Sequence, residues 1–499
     1  MNNYIRGNSF YAEDTWRATP KLTVNYGVRY ELYPPFWLNR ENRTSNFSPD
    51  NGGEIISAPL GGGVYGRVLM HPDNTDFAPR LGFAYHALPK IVLRGGFGFF
   101  HQFINRIGSE SMLQLNPPFL RDDSVQQQLG STTPVFQLKN GFPSAQLSSL
   151  GVDLPELQLR AQDPNERTSY VEQVSFGPQI QLSSNTVLDS IWVGNWGRKM
   201  NRLRNANQGV VTGFSGGNPI VTFPYANLNT ETQAVDGAGQ HGFLELGTND
   251  GNTAYNGLEL DIKRQLTHGL AYQVSYTYSH NLANYVDNLT GDAFPQNAYD
   301  YEHEMSNSQQ DVRHRLVGNA IWALPVGQGG LVLNQDNLMS RLVGHWQVNA
   351  IASFQTGIPF DVTAPDESFT GGNHQSYPDC SGDPFAGASS DPKQFVGSNS
   401  PGFFINPAAF TNPAAGSFGS CRPRMFHGPG SEDVDLSIFK SFPIKDNWVF
   451  EFRTEFFNAF NHPNFANPSA STSSPGSFGK STATTNDPRE IQFAGKIFF

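Results

Sequence analysis

The sequence predicts an all-β chain: an antiparallel up-and-down transmembrane β-barrel, incomplete, with about thirteen strands of a larger barrel. Three observations predict it. Apolar residues alternate with small or polar ones over ten-residue stretches, the periodicity of a strand with one apolar face. Connections between those stretches alternate between very short and very long along the chain. The composition is rich in aromatics (39 Phe, 17 Tyr) and in turn residues (50 Gly, 34 Pro), with only 15% charged residues, which fits a large β protein with long loops.

The strands follow in order. Leu22, Val24, Tyr26, Val28 and Tyr30 alternate with Thr23, Asn25, Gly27, Arg29 and Glu31. Leu270, Tyr272, Val274, Tyr276 and Tyr278 alternate with Ala271, Gln273, Ser275, Thr277 and Ser279. Ile491, Phe493, Gly495, Ile497 and Phe499 close the chain in the same way. Extending this reading gives strands near 9–17, 22–31, 77–87, 91–101, 168–182, 186–195, 255–266, 270–280, 312–324, 344–355, 433–442, 448–458 and 489–499. A soluble sandwich would show the same alternation, so alternation alone does not choose between the two.

The connections choose. Ala18–Lys21, Leu88–Lys90, Ser183–Asn185, Thr267–Gly269 and Pro443–Asn447 are tight; Pro325–Val343 is of medium length; the rest are long and rich in Gly, Pro, Asn and Ser. In an up-and-down sheet alternate connections lie at opposite ends, so the tight turns gather at one rim and the long loops at the other. Outer-membrane barrels have that asymmetry, and a Greek-key sandwich has no reason to keep it. No apolar run of eighteen residues offers a transmembrane helix, leaving a closed barrel as the way across a bilayer. Met1–Phe10 carries no apolar core of a signal peptide, and an odd strand count departs from the even numbers of single-chain bacterial barrels. The expectation is a chain that starts partway round a barrel, 1–499 being its C-terminal part.

A net charge of −11 excludes nucleic acid as a partner class, because phosphate binding needs a basic surface. No nucleophile accompanies the polar cluster Asp311–Arg315, which reads as a structural anchor rather than a catalytic set. No cofactor or metal motif is present either: the spacing of Glu302, His303 and Glu304 matches no metal site and reads as a solvated acidic loop, and Gly61–Gly63 lacks the Lys and helix of a phosphate loop. Gly95 and Gly96 fall mid-strand, where close backbone approach or curvature is expected. Trp16, Tyr30, Tyr85, Tyr278, Trp322, Trp346 and Trp448 lie near strand ends as candidate interfacial girdles. Arg29, Glu31, Arg94, Glu451, Arg453 and Glu455, with Arg80, Glu259, Asp261 and Lys263, are candidates for a polar inner face, since a lipid-facing Arg or Lys costs about 2–4 kcal/mol at the midplane. Cys380 and Cys421 share one long loop, where an oxidising exterior would favour a disulfide.

Eleven segments, in order, resemble the C-terminal barrel of TonB-dependent receptors, particularly the Oar-like branch that carries a carboxypeptidase-regulatory-like domain. They include FYAEDTWRATPKLTVNYGVRYE (Phe10–Glu31), IVLRGGFGFFH (Ile91–His101), YNGLELDIKRQLTHGLAYQVSYTYSHNL (Tyr255–Leu282), FFINPAAF (Phe403–Phe410) and FEFRTEFFNAFNHPNF (Phe450–Phe465). The resemblance implies an outer-membrane location and, for an intact protein, energised uptake of a scarce large solute: a siderophore, a glycan fragment or a peptide. It also implies a plug domain and a TonB-recruiting segment, neither of which is recognisable before residue 9. Phe493, Ile497 and Phe499 resemble the terminal signal read by the barrel-assembly machinery. The expected partners are therefore outer-membrane lipid, that machinery, the TonB complex through an N-terminal region, and an extracellular solute. A surface adhesion or structural barrel without transport is the alternative.

Overall fold

A computed structural model describes residues 3–4, 7–32, 37–38, 45–48, 54–57, 69–102, 139, 159–225, 244–284, 295–327, 330–335, 337–371, 375–445 and 448–499. Thirteen long strands form one antiparallel ladder in chain order. They are β1 (Asn8–Thr19), β2 (Leu22–Leu32), β3 (Phe77–Leu88), β4 (Ile91–Gln102), β5 (Ser169–Ser183), β6 (Thr186–Arg198) and β7 (Thr253–Thr267). The ladder continues with β8 (Leu270–Ala283), β9 (His314–Ala323), β10 (Trp346–Gln355), β11 (Ser431–Lys445), β12 (Trp448–Phe457) and β13 (Glu490–Phe498). Each strand pairs with its chain neighbours, and a two-residue strand, Ser306–Asn307, adds to β8. The predicted strands all form, with ends moved by a few residues. Among the described residues β1 and β13 do not pair with each other, so each presents an open edge.

The register decides what the two faces are. Directly opposed residues share a face. One row runs Trp16, Val24, Phe83, Gly95, Phe176, Trp192, Leu258, Tyr278. Another runs Leu270, Trp322, Val348, Ile438, Thr454, Phe493. Three positions from the first row and five from the second, a row of the opposite face runs His86, Val92, Gln179, Asp189, Asp261, Ser275, Val317, Ser353, Asp433. A period of two, carried by an in-phase register, thus separates a mainly apolar wall from a mainly polar one along the ladder, with isolated charges such as Asp14 and Lys440 on the apolar side. Among the described residues the apolar wall is not covered by a second sheet: Phe10, Trp16, Phe77, Leu81, Phe176 and Phe493 are all half exposed or more. A soluble sandwich would bury these side chains.

Gly95 shows how the apolar wall accommodates its aromatics. A Cβ there would lie 2.4 Å from Phe83 Cε1, so the ring of Phe83 rests on the glycine, between it and the neighbouring Phe176 (ring centroids 6.3 Å). This is the close approach that a mid-strand glycine permits.

Tight hairpins make one rim. The register shifts by one residue just before each of the five turns, between Arg17 and Thr19, His86 and Leu88, Gln181 and Ser183, Arg264 and Thr267, and Pro443 and Lys445. Such bulges increase local twist. At His268–Gly269 both residues have positive φ (52° and 82°), the left-handed pair that suits a two-residue hairpin. The medium connection on this rim contains the helix Leu338–Val343, capped by the Asn337 side chain on Ser340 N (2.8 Å). The opposite rim carries all the long connections. They contain short sheets of their own, such as Met200–Asn205 with Leu244–Gly251 and Leu159–Gln162. No helix among the described residues is long and apolar enough to cross a membrane.

The two walls make opposite predictions for the same substitution. Val274→Arg places a cation on the apolar wall, and is expected to cost about 2–4 kcal/mol in a bilayer. Thr277→Arg, on the polar wall of the same strand, is expected to cost less than 1 kcal/mol, the ordinary surface range. Urea titration of the barrel in lipid vesicles checks the difference; equal costs would contradict the assignment of walls.

Candidate functional site

The six lumen candidates all stand on the polar wall, but in three separate places. Arg29 and Glu31 pair within β2 (Nε–Oε1 2.7 Å). Arg94 lies across from Ala84 and Gly177. In β12, Arg453 reaches Glu451 (Nη2–Oε1 2.6 Å) and lies over the Phe439 ring at 4.3 Å, while Glu455 faces Ser437 and Gln492. Same-strand residues two apart share a face, which is why the ion pairs form so locally. Asp261 sits opposite Asp189 and accepts hydrogen bonds from Ser275 Oγ (2.5 Å) and Gln273 Nε2 (2.9 Å). The wall is polar, and its contacts are local, apart from the loop-rim end of β2, where His101 lies 3.8 Å from Glu31 and 3.9 Å from Asp76.

Convergence occurs instead at the loop rim. The connection 356–430 folds with 458–489 around a core of Phe360, Val362, Tyr377, Ile405, Phe410, Phe426 and Phe478. Cys380 and Cys421 are joined as a disulfide within it, Cα–Cα 5.1 Å. Two buried glutamines tie three loops together. Gln208 donates to the Gln296 carbonyl (2.9 Å) and accepts from Ala298 N (2.5 Å). Gln296 donates to the Gly419 carbonyl (3.0 Å) and accepts from Tyr377 N (2.9 Å). Each amide replaces hydrogen bonds that buried backbone groups would otherwise lack.

Buried carboxyls complete this cap. Glu304 is not solvated, contrary to the sequence-based expectation. It is buried and accepts from Gln296 N (3.1 Å), and desolvation pushes its pKa up to about 7 against the opposing hydrogen bond and the charges of Arg424 and Arg202. Glu302 is exposed, and His303 Nε2 lies 3.1 Å from the Cys421 carbonyl. Glu166, held by Gln162 and by Asn201 Nδ2 (3.0 Å), is pushed up to about 8 by burial. Asp311 behaves oppositely. Burial alone would raise it, but His427 (3.0 Å), Asn281 N (2.6 Å) and Arg313 (3.2 Å) hold it below the usual carboxylate range. The histidine that meets Asp311 is thus His427, from another loop. His314 instead hydrogen-bonds Tyr276 (2.8 Å). Asp311 anchors the entry to β9, as an anchor reading of the cluster requires, through a residue no local motif marks.

On the apolar wall, Phe493 stacks with Phe452 (6.2 Å), Ile497 lies opposite Phe450, and Phe499 stacks on Trp448 (5.3 Å). The seven candidate girdle residues also share this wall by register. Beside it, under the cap, lies an open cavity of about 870 Å³ bordered by the loop-rim ends of β8, β9, β10 and β11.

A ladder with one exposed apolar wall, one polar wall and all its long loops on one rim is the architecture of an outer-membrane barrel wall. The profile of the outer membrane beta barrel domain matches residues 1–492. The chain belongs to that family. As a member of the outer membrane beta barrel domain family it resides in the bacterial outer membrane. No curated protein sequence matches it. Among solved structures it is similar to the FrpB iron transporter of Neisseria meningitidis (8% identity, TM-score 0.45, covering 100% of this chain and 46% of that one). It is also similar to the ferripyoverdine receptor of Pseudomonas aeruginosa (11%, 0.43, 100% and 39%) and to the outer membrane transporter YddB of Escherichia coli (10%, 0.44, 100% and 55%). The chain spans less than two thirds of the length of each.

The carboxyls give the cap of this barrel a pH dependence. A group whose folded pKa is raised contributes stability that is complete below its unfolded value, near 4.5, and is lost as pH rises through the folded value. Cap stability is therefore expected to fall from pH 5 to pH 8 as Glu304 and Glu166 are forced to ionise. Hydrogen exchange in segments 295–310 and 159–169 measures it; Glu304→Gln with Glu166→Gln should flatten the profile, and a profile unchanged by both would refute the assignment.

Proposed function

We propose that this chain forms the C-terminal wall of a TonB-dependent transporter of the Oar-like kind. In the intact protein such a barrel takes up a scarce solute too large for passive pores: a siderophore complex, a glycan fragment or a peptide. The observation that carries this reading is the placement of every long connection on one rim, where three of them interlock through Gln208 and Gln296 into a folded cap. Such a cap offers a shaped capture surface at the outer end of a polar wall. Arg29, Glu31, Arg94, Glu451, Arg453 and Glu455 line the lumen in this reading, facing the solute path or a plug. The open edges of β1 and β13 support a larger ring, because a lipid-exposed sheet edge leaves backbone groups unpaired. Phe493, Ile497 and Phe499 serve the barrel-assembly machinery, and the TonB complex acts through a region N-terminal to the barrel.

Uptake of labelled siderophore, oligosaccharide and peptide pools by a host strain, with and without this gene and with its TonB system disabled, tests the reading. Gene-dependent uptake of one pool that ceases without TonB is expected. Uptake that persists without TonB, or loss of surface attachment with no change in any uptake, would assign the barrel to adhesion or passive structure instead.

A further inference from the structure

The cavity under the cap opens on the apolar wall, not on the polar one. Its sheet side is formed by Tyr276, Leu316 and Phe354, which oppose one another in the apolar rows of β8, β9 and β10. Its cap side is formed by Phe395, Phe404 and Phe465. His314, His427 and His462 border the same space, with Glu432 paired to His462 (2.8 Å). The volume is about 870 Å³, ample for a drug-sized ligand. Its lower wall is continuous with the surface that meets bilayer hydrocarbon, and its upper border is polar and lies at the rim. A water-soluble solute would have to pass through lipid headgroups to reach it, whereas a membrane amphiphile diffuses there laterally.

We propose that this cavity binds one outer-leaflet amphiphile, an acyl chain lying along Leu316 and Phe354 with its polar head at the histidine border. Phospholipid and lipid A share that chemistry, and the mass of the retained molecule distinguishes them. The protein extracted from outer membranes in mild detergent is expected to retain one such molecule in native mass spectrometry. Ser390→Trp, a change at an exposed position lining the cavity, fills the space from the cap side without touching the ladder. It should lower retention at least tenfold, about 1.4 kcal/mol, while heat-modifiable gel mobility reports an intact barrel. Leu258→Trp, on the apolar wall away from the cavity, should leave retention unchanged. Equal retention in wild type and Ser390→Trp, or no retained amphiphile in wild type after addition of either lipid, would overturn the assignment.

A different observation concerns the other rim. The medium connection projects Leu331, Leu338, Met339 and Leu342 into the open, at 85%, 74%, 58% and 56% exposure. The projection is built rather than loose. Gly327 and Gly344 meet at its base, where a Cβ on Gly327 would lie 2.4 Å from the Gly344 Cα. Lys440, a cation on the apolar wall, is buried beneath it, its Nζ donating to the Arg341 carbonyl (2.9 Å) and to that of Gly344. The helix end thus caps a charge that would otherwise face lipid, and the exposed side chains continue the lipid-facing wall.

We infer that Leu331, Leu338, Met339 and Leu342 insert into the membrane interface at the turn rim as an apolar anchor. A nitroxide on Leu338→Cys, specific because the two native cysteines are paired, tests it in vesicles. Greater accessibility to oxygen than to a water-soluble nickel chelate is expected, with the reverse at Asp383→Cys in the cap. Preferential access of the chelate to position 338 would place the projection in water and overturn the inference.

Discussion

Everything in this chain follows from the inability of a bilayer to hydrogen-bond a peptide group. Each strand inside hydrocarbon must give all its N–H and C=O groups to neighbours, and the twelve consecutive pairings from β1 to β13 do so for every strand between the two open edges. Once backbone pairing is fixed, the pleat leaves one further choice, which side of each strand is apolar. A slip of one residue in any pair would turn a row of phenylalanines into the polar wall. The in-phase register from Trp16 to Tyr278 and from Leu270 to Phe493 shows that this choice is made the same way in every strand.

The two rims solve different problems. At the turn rim each tight hairpin is preceded by a one-residue bulge, which adds twist and fixes the register before the strands enter the wall. The loop rim has no such constraint, since its connections meet water. There the stabilising principle changes from backbone pairing to a small core of phenylalanines, a disulfide and buried amides. Cap and wall are therefore separable in energy. The cap's buried carboxyls tune its stability with pH, while the ladder's own pairs, such as Arg453 with Glu451, are satisfied within single strands.

The ladder was legible in the sequence because its rule is periodic and local. Alternation marked the strands, and turn length marked the rims. The cap was not legible, because its determinants are single residues far apart in the chain. Gln208 and Gln296 have no pattern around them, and His427 meets Asp311 from a loop more than a hundred positions away, while the neighbouring His314 turns to Tyr276. Glu304 was misread for the same reason: an acidic tripeptide resembles a solvated loop until other loops close over it. FFINPAAF was visible as a segment, yet its role as cap core, through Ile405, Ala409 and Phe410, depends on packing partners in 458–489.

The distribution of charge carries one more consequence. Two of the wall's charge pairs, Arg29 with Glu31 and Arg453 with Glu451, neutralise one another within a strand, so these four groups are not free to meet a passing solute. Arg29 is already engaged by Glu31, and Arg453 by Glu451 and the Phe439 ring. Recognition built on such a wall would first have to break these pairs, at a desolvation cost that a weakly held solute cannot offset. The cap has no such obligation. Its loops differ in length, composition and fold while the rim beneath them stays regular, so selectivity can change there without disturbing the pairing on which insertion depends. A barrel organised in this way separates the part that must satisfy the membrane from the part that is free to choose a ligand.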